Sequence, residues 1–192
     1  MGSATHILTL EEALALPVDP LDEIVDGEVR RMSQPEDAHA ALLEVLYDAL
    51  RKQLPGERFK VRLTAYGLGV RREPRLTIRN PDLTVFDFME WSNDFVSRNG
   101  RGWVWIAPKL VVECLSPSNR KGSTYQLLAD YESCGAAEVW LIDPKRRLLT
   151  PYVRADEQLI QKDSLSEGML TPAAVPASID VSLLWHAFET GS

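Results

Sequence analysis

One residue limits the folds open to this chain more than any other: Glu113 stands inside the apolar run Leu110-Val-Val-Glu-Cys-Leu115. A near-continuous apolar run of this length, entered through Pro108-Lys109, reads as a strand buried on both faces at the centre of a sheet. A charge in such a place is costly unless it is paired or holds a cation. The chain must therefore cover a central strand on both sides and bring either a counter-charge or a metal to Glu113.

The neighbouring segments supply the layers. Residues 9–16 read as a short helix, with Thr9 and Glu12 spaced as a capping box. Residues 23–32 are two short runs around Asp26-Gly27, the strongest short-range hairpin signal. Residues 36–54 carry Leu42, Leu43, Leu46, Leu50 and Leu54 at three- and four-residue spacing, one apolar stripe on a long helix stopped by Pro55-Gly56. The period then changes to two. Residues 58–70 read as one strand, 82–87 as a second, 109–115 as the central one and 137–143 as another, with a helix over 123–134. Residues 89–103 are polar and punctuated by tryptophan, and read as a loop. Residues 148–154 and 158–162 complete a meander, and a short helix closes the chain near 181–189. The expected fold is mixed α/β, a central mixed sheet flanked by helices with an N-terminal hairpin and an antiparallel margin, in one domain over 1–192.

Asp82 is the natural companion of Glu113, because it opens the strand entered through Asn80-Pro81. An Asp at one strand's mouth and a Glu within its neighbour can converge on a hard cation, and Mg²⁺ favours one or two carboxylates, a carbonyl and waters. A bland reading stays open: Asp82 caps a turn after Pro81, and Glu113 pairs with an arginine such as Arg79. Cys114 and Cys134 lack CxxC spacing and read as free buried thiols in a reducing cytoplasm. A buried Cys114 is inert far more often than it is a nucleophile partnered by His39. Tyr131, Trp140 and Trp185 read as core or interface aromatics. The N-terminus has no secretory pattern, no stretch has the length of a membrane span, and the histidines have no zinc spacing.

Three segments carry a family resemblance. They are Asn80-Pro-Asp82-Leu-Thr-Val-Phe, Pro108-Lys-Leu-Val-Val-Glu113-Cys-Leu-Ser-Pro-Ser118, and Tyr131-Glu-Ser-Cys-Gly135-Ala-Ala-Glu138-Val-Trp140-Leu-Ile-Asp-Pro144. Taken in order with the Glu23–Glu28 hairpin and the Pro35–His39 stretch, they resemble the Uma2 (DUF820) family of predicted restriction endonucleases over about residues 9–155, leaving a C-terminal meander and short helix beyond. The resemblance implies a PD-(D/E)xK nuclease core, with Asp82 and Glu113 as ligands of Mg²⁺ or Mn²⁺ and the Cys114 carbonyl as a third donor. It also implies supporting places for Glu28 and His39, DNA as the substrate cut by metal-activated water, and a homodimer, which the Trp91, Trp103 and Trp105 group supports faintly.

The departure concerns the lysine such a site uses. Two residues after Glu113 stands Leu115, and four before the helix tyrosine stands Leu127. Leu127 and Tyr131 share a helix face, so a lysine at 127 would bring its amine toward the metal. Gln126 lies ~100° round the helix and reads as a supporting residue, and Lys109 is about 13 Å along the strand from Glu113. Arg120 and Lys121 are the best remaining cations, which makes Lys121 the catalytic candidate. The formal net charge is −7, unusual for a DNA binder because phosphate contacts demand cations. Basic residues do cluster, at Arg71-Arg72 with Arg75 and Arg79, at Arg98 with Arg101, and at Lys145-Arg146-Arg147. Acidity and the two leucines favour a rival expectation, a nuclease scaffold that lost its chemistry and acts as a binding or regulatory module.

Overall fold

A computed structural model of the protein describes residues 7–15, 22–31, 36–63, 67–99, 102–115 and 121–191, with Lys121 described by its backbone alone. Helix α1 (Leu10–Ala15) starts at the expected capping box: the Thr9 N–H donates to Glu12 Oε2 at 2.9 Å and the Glu12 N–H to Thr9 Oγ1 at 3.2 Å. Strands β1 (Glu23–Val25) and β2 (Glu28–Arg30) form the hairpin. Asp26 and Gly27 turn it at φ 53° and 82°, the left-handed pair that a two-residue turn between twisted strands requires. Helix α2 (Asp37–Gln53) follows, with Leu42, Leu43, Leu46 and Leu50 buried along one side.

The expected strand over 58–70 is two strands in two sheets, β3 (Phe59–Leu63) and β4 (Leu68–Arg71). Alternation alone cannot reveal such a break. Its cause lies in Gly67 and Gly69, where a Cβ would run into the rings of Trp103 and Trp105. These bare backbone positions let residues 102–105 lie flat on β4, with the Gly69 N–H on the Val104 carbonyl at 2.7 Å. Strands β5 (Thr77–Arg79) and β6 (Leu83–Asp87) come next. The expected loop over 89–103 contains a helix, α3 (Phe88–Ser97). The Asp87 carboxylate caps it, accepting the N–H groups of Met89 at 2.9 Å and Glu90 at 3.1 Å. None of its residues is fully buried, although Phe88, Trp91 and Phe95 recur at helical spacing along one side.

The chain continues through β7 (Leu110–Cys114), α4 (Lys121–Ser133), β8 (Glu138–Asp143), β9 (Leu148–Ala155), β10 (Gln158–Gln161), the short pair β11 (Met169–Leu170) and β12 (Ile179–Asp180), and α5 (Val181–Thr190). The main sheet runs β10-β9-β8-β7-β6-β3, with β7 and β8 parallel across α4 and the other neighbours antiparallel. The smaller sheet runs β2-β1-β5-β4. This is the expected mixed sheet between helices.

Two apolar layers sandwich the main sheet. Leu42, Leu46 and Leu50 of α2 and Leu184 and Trp185 of α5 pack on Val61, Leu83, Val85, Leu110 and Val112. Leu127 and Tyr131 of α4 pack over Val111, Val139 and Leu141 on the other face, with Leu68 and Phe86. Each fully buried side chain of this kind contributes roughly 1.5–3 kcal/mol relative to exposure. Trp103 and Trp105 lean on Ile24, Leu76 and Ile78, and Trp91 stacks obliquely on Phe86 at 5.1 Å. The three tryptophans that made a dimer interface attractive are therefore engaged within the chain. Among the described residues no helix is long and apolar enough to cross a membrane.

Candidate functional site

Strand register brings the two carboxylates together. Leu83 pairs with Val112 in the antiparallel β6–β7 ladder, and one further step places Asp82 opposite Glu113. Residues so opposed have Cβ atoms about 4.5–5.5 Å apart. The backbone N–H of Cys114 donates to Asp82 Oδ2 at 2.7 Å, and the Tyr131 hydroxyl donates to Glu113 Oε1. His39, at the start of α2, places Nε2 3.3 Å from the same Asp82 oxygen, off the line of a hydrogen bond. Groups from β7, from the approach to β6, from α2 and from α4 thus meet at one point.

The electrostatics of the pair are unfavourable without help. Burial pushes the Glu113 carboxyl well above the ordinary range, and the charge of Asp82 pushes it further. The Tyr131 hydrogen bond and the Arg79 charge act in the opposite sense. The Tyr131 hydroxyl is itself raised, by burial first and then by Glu113 and Glu23. Burial, then Asp82 and Glu113, also raise the Cys114 thiol, and burial raises Cys134 to about 11. Both cysteines are free, and neither has thiolate character to act as a nucleophile.

Beneath the pair lies a buried ionic hub. Arg79 donates from Nε and an Nη to Asp130 Oδ2 at 2.9 and 2.6 Å, and from its other Nη to Glu23 Oε2 at 2.7 Å. Burial works against the Arg79 charge, but Glu23 and Asp130 outweigh it and hold the guanidinium more firmly protonated than usual. Arg79 is thus an ion-pair partner of Glu23 and Asp130, and acts on Glu113 only through its field. Glu23, Asp130 and the Tyr131 hydroxyl are the site residues that sequence reasoning missed, and Arg79 was named there but as a partner of Glu113. The available signal was Thr77-Ile78-Arg79, since an arginine ending a strand whose residues are all buried must find acids.

The other expected site residues are distributed as follows. Asp82 and Glu113 meet, and Cys114 adjoins them. Gln126 turns away to the hairpin, donating from Nε2 to Asp26 Oδ2 at 3.1 Å. Glu28 is exposed on β2, and no described hydrogen bond or ion pair joins it to the carboxylates. Leu127 is buried in the apolar layer beneath α4. Lys109 reaches Glu90 at 3.7 Å. Arg101, Arg120 and the Lys121 side chain lie outside the described residues. Two surface clefts, one lined by Arg146, Arg147 and Trp185 and one by Leu14, Arg72 and Trp105, contain neither carboxylate.

The donor set suits a hard divalent cation. Two opposed carboxylates, each oriented by a donor on one oxygen, repel one another, and a cation between them removes the repulsion. Among the described residues no three His, Cys, Asp or Glu side chains converge as metal ligands. Two side-chain carboxylates are what Mg²⁺ commonly takes from a protein, with carbonyls and waters completing the octahedron.

The helix-flanked mixed sheet, with Asp82 and Glu113 at adjoining positions, has the architecture of a nuclease-like fold. In agreement, the chain superposes on the crystal structure of "a putative nuclease belonging to DUF820 from Anabaena variabilis ATCC 29413" with a TM-score of 0.73, covering 94% of this chain and 99% of that one at 21% identity. A comparison with curated proteins gives no match. The model of the Uma2 family, described as "Putative restriction endonuclease", matches residues 10–183, and the chain belongs to that family.

Proposed function

We propose that the protein is a divalent-metal-dependent nuclease that hydrolyses phosphodiester bonds of DNA, with Asp82 and Glu113 holding Mg²⁺ or Mn²⁺ and the Cys114 carbonyl completing the protein's share of the ligands. The observation that carries this reading is the opposition of Asp82 and Glu113 across β6 and β7, with Glu113 pushed up by burial and then by its neighbour's charge. Bound there, a divalent ion supplies a more acidic water and neutralises charge developing on the phosphate. The chain's own residues do the rest. The Cys114 N–H and Tyr131 hydroxyl hold the two carboxylates in place, and His39 closes the site from the α2 side. Lys121, at the first residue of α4, is the candidate cation for the attacking water. The test is calorimetry with Mn²⁺ beside plasmid nicking. One weak site is expected, lost in Asp82→Ala and in Glu113→Ala together with cleavage. Equal Mn²⁺ binding by all three proteins rejects the assignment.

A second reading has its own observation. Leu127 stands where the family resemblance puts the lysine, and it is seated among Leu68, Val111 and Val139. A position filled as core favours a scaffold that binds metal or DNA and turns over poorly. Metal binding without cleavage in the same experiment would select it.

A further inference from the structure

We infer that the Glu23–Arg79–Asp130 hub is a positioning device, which sets Tyr131 against Glu113 on one side and Asp82 on the other. The purpose of that alignment, a shared cation, rests on the nuclease reading above; the alignment itself does not.

The geometry supports this from both ends. Arg79 is 5% exposed, and the three N–H donors described above are spent on two acids from different elements, Glu23 of β1 and Asp130 of α4. Glu23 does a second task with its other oxygen: Oε1 accepts the backbone N–H of Asn80 at 3.1 Å. The Asn80 side chain is tied in turn to the Asp22 carbonyl at 2.9 Å. Asp82 follows two residues later, through Pro81, whose ring fixes its backbone φ. A peptide pinned at Asn80 therefore passes its position to Asp82 with little slack.

On α4 the hub grips Asp130, and Tyr131 is the next residue, ~100° round the helix axis. Fixing the rotation of α4 at Asp130 fixes where the Tyr131 hydroxyl points. One grip leaves the helix free to tilt, but a second exists one turn earlier. Gln126 and Asp130 are four apart on the same face, and Gln126 is tied to Asp26 of the hairpin, which Arg71 also engages at 2.5 Å. Two grips on one face hold α4 in rotation and in register over the smaller sheet.

Stability alone does not account for such a hub. A buried ion triad is usually no better than well-packed apolar residues of the same volume, and removing one member leaves an uncompensated charge. What the triad adds is direction, through donor angles that apolar contacts lack.

The experiment uses the full chain without metal and tyrosine labelled with ¹³C at the ring carbon bearing the hydroxyl. Tyr131→Phe assigns the Tyr131 resonance. In Arg79→Lys, Asp130→Asn and Glu23→Gln that resonance is expected to move toward the free-tyrosine position or to broaden. In Glu138→Gln, which alters a buried carboxylate outside the hub, it is expected to stay even though stability falls. Mn²⁺ affinity is expected to drop about tenfold in the three hub variants, the scale on which residues supporting metal ligands act. Arg79→Lys keeps the charge and Glu23→Gln and Asp130→Asn keep the shape, and circular dichroism identifies which of the three fold and so carry the reading. A Tyr131 resonance unmoved in folded Arg79→Lys and Glu23→Gln overturns the inference. If the resonance moves but the wild-type chain binds no Mn²⁺, the hub stands as a positioning device and the metal reading falls.

Discussion

Asp82 Oδ2 accepts the backbone N–H of Cys114 at 2.7 Å, so the carboxylate facing Glu113 is held by the main chain of the residue that follows Glu113. The strand backbone thus orients Asp82, while the Tyr131 hydroxyl holds the Glu113 carboxylate beside it. The thiol of Cys114 lies on the opposite face of β7, within the apolar layer under α2 and α5.

Cys114→Ala should therefore leave the site intact. Mn²⁺ affinity is expected to stay within about twofold of wild type, while the small void costs about 1 kcal/mol of unfolding free energy. Calorimetry and urea denaturation on the same samples check both. A loss of metal binding as large as in Asp82→Ala would mean that the thiol, not the backbone, orders the site.

Glu113 makes the metal-free protein pH-sensitive. Its folded carboxyl is raised above the ordinary value of 4.5 by burial and by Asp82, so the native state holds that proton more tightly than the unfolded chain. Stability from this group is fully present below pH 4.5 and is lost as pH rises through the folded value. Glu113→Gln should flatten the decline and raise stability near neutrality by on the order of 1 kcal/mol, or about 2–4 °C in Tm for a chain of this size. Saturating Mn²⁺ should have the converse effect, stabilising wild type and leaving Glu113→Gln unchanged. Melting curves from pH 4 to 8 with and without metal read all of this.

Leu127→Lys places an ammonium where a side chain is 8% exposed in an apolar layer. The expected cost is about 2–4 kcal/mol, whereas Leu127→Met, of similar volume, should cost under about 1.5 kcal/mol. Denaturation curves for the two variants give the comparison. If Leu127→Lys folds with near wild-type stability and cleaves plasmid DNA faster, the amine has turned toward Glu113, and the position is a lost catalytic lysine.

Glu138 is a structural acid, 1% exposed at the start of β8. It accepts the Trp140 indole N–H at 2.6 Å and the backbone N–H groups of Ala173 and Ala174 at 2.8 and 3.0 Å. Glu138→Ala orphans three donors and should lower stability by roughly 3 kcal/mol at about 1 kcal/mol or more for each. Hydrogen exchange at Ala173 and Ala174 should accelerate while Mn²⁺ binding persists. Unchanged exchange at those amides would contradict the role.

The legible parts of the fold were those written in one uninterrupted period. The leucine stripe of α2, the Asp26-Gly27 turn and the apolar run of β7 each announce themselves within a dozen residues. The break between β3 and β4 does not, because Gly67 and Gly69 answer to Trp103 and Trp105, residues distant in sequence. Nor does α3, whose capping Asp87 also ends a strand. The same division runs through the site. Asp82 and Glu113 stand out because acids at strand positions are costly, and their family resemblance adds to that. Tyr131 is a core aromatic until its hydroxyl is seen on Glu113, and Arg79 shows its partners only once β1 and α4 are folded beside it.

The wide spacing of the hub has a consequence for synthesis. Arg79 is 56 residues from Glu23 and 51 from Asp130, and Asp82 is 32 from the N–H that holds it. Contacts this distant close late, since chain entropy must be lost before they return any stabilisation. A ribosome that has released the hairpin, α2 and both acids into solution still presents an incomplete assembly, lacking the Asp130 and Tyr131 that follow. The site is therefore incomplete until most of the chain has emerged, and a chain truncated before α4 carries both carboxylates without the Tyr131 hydroxyl that holds Glu113.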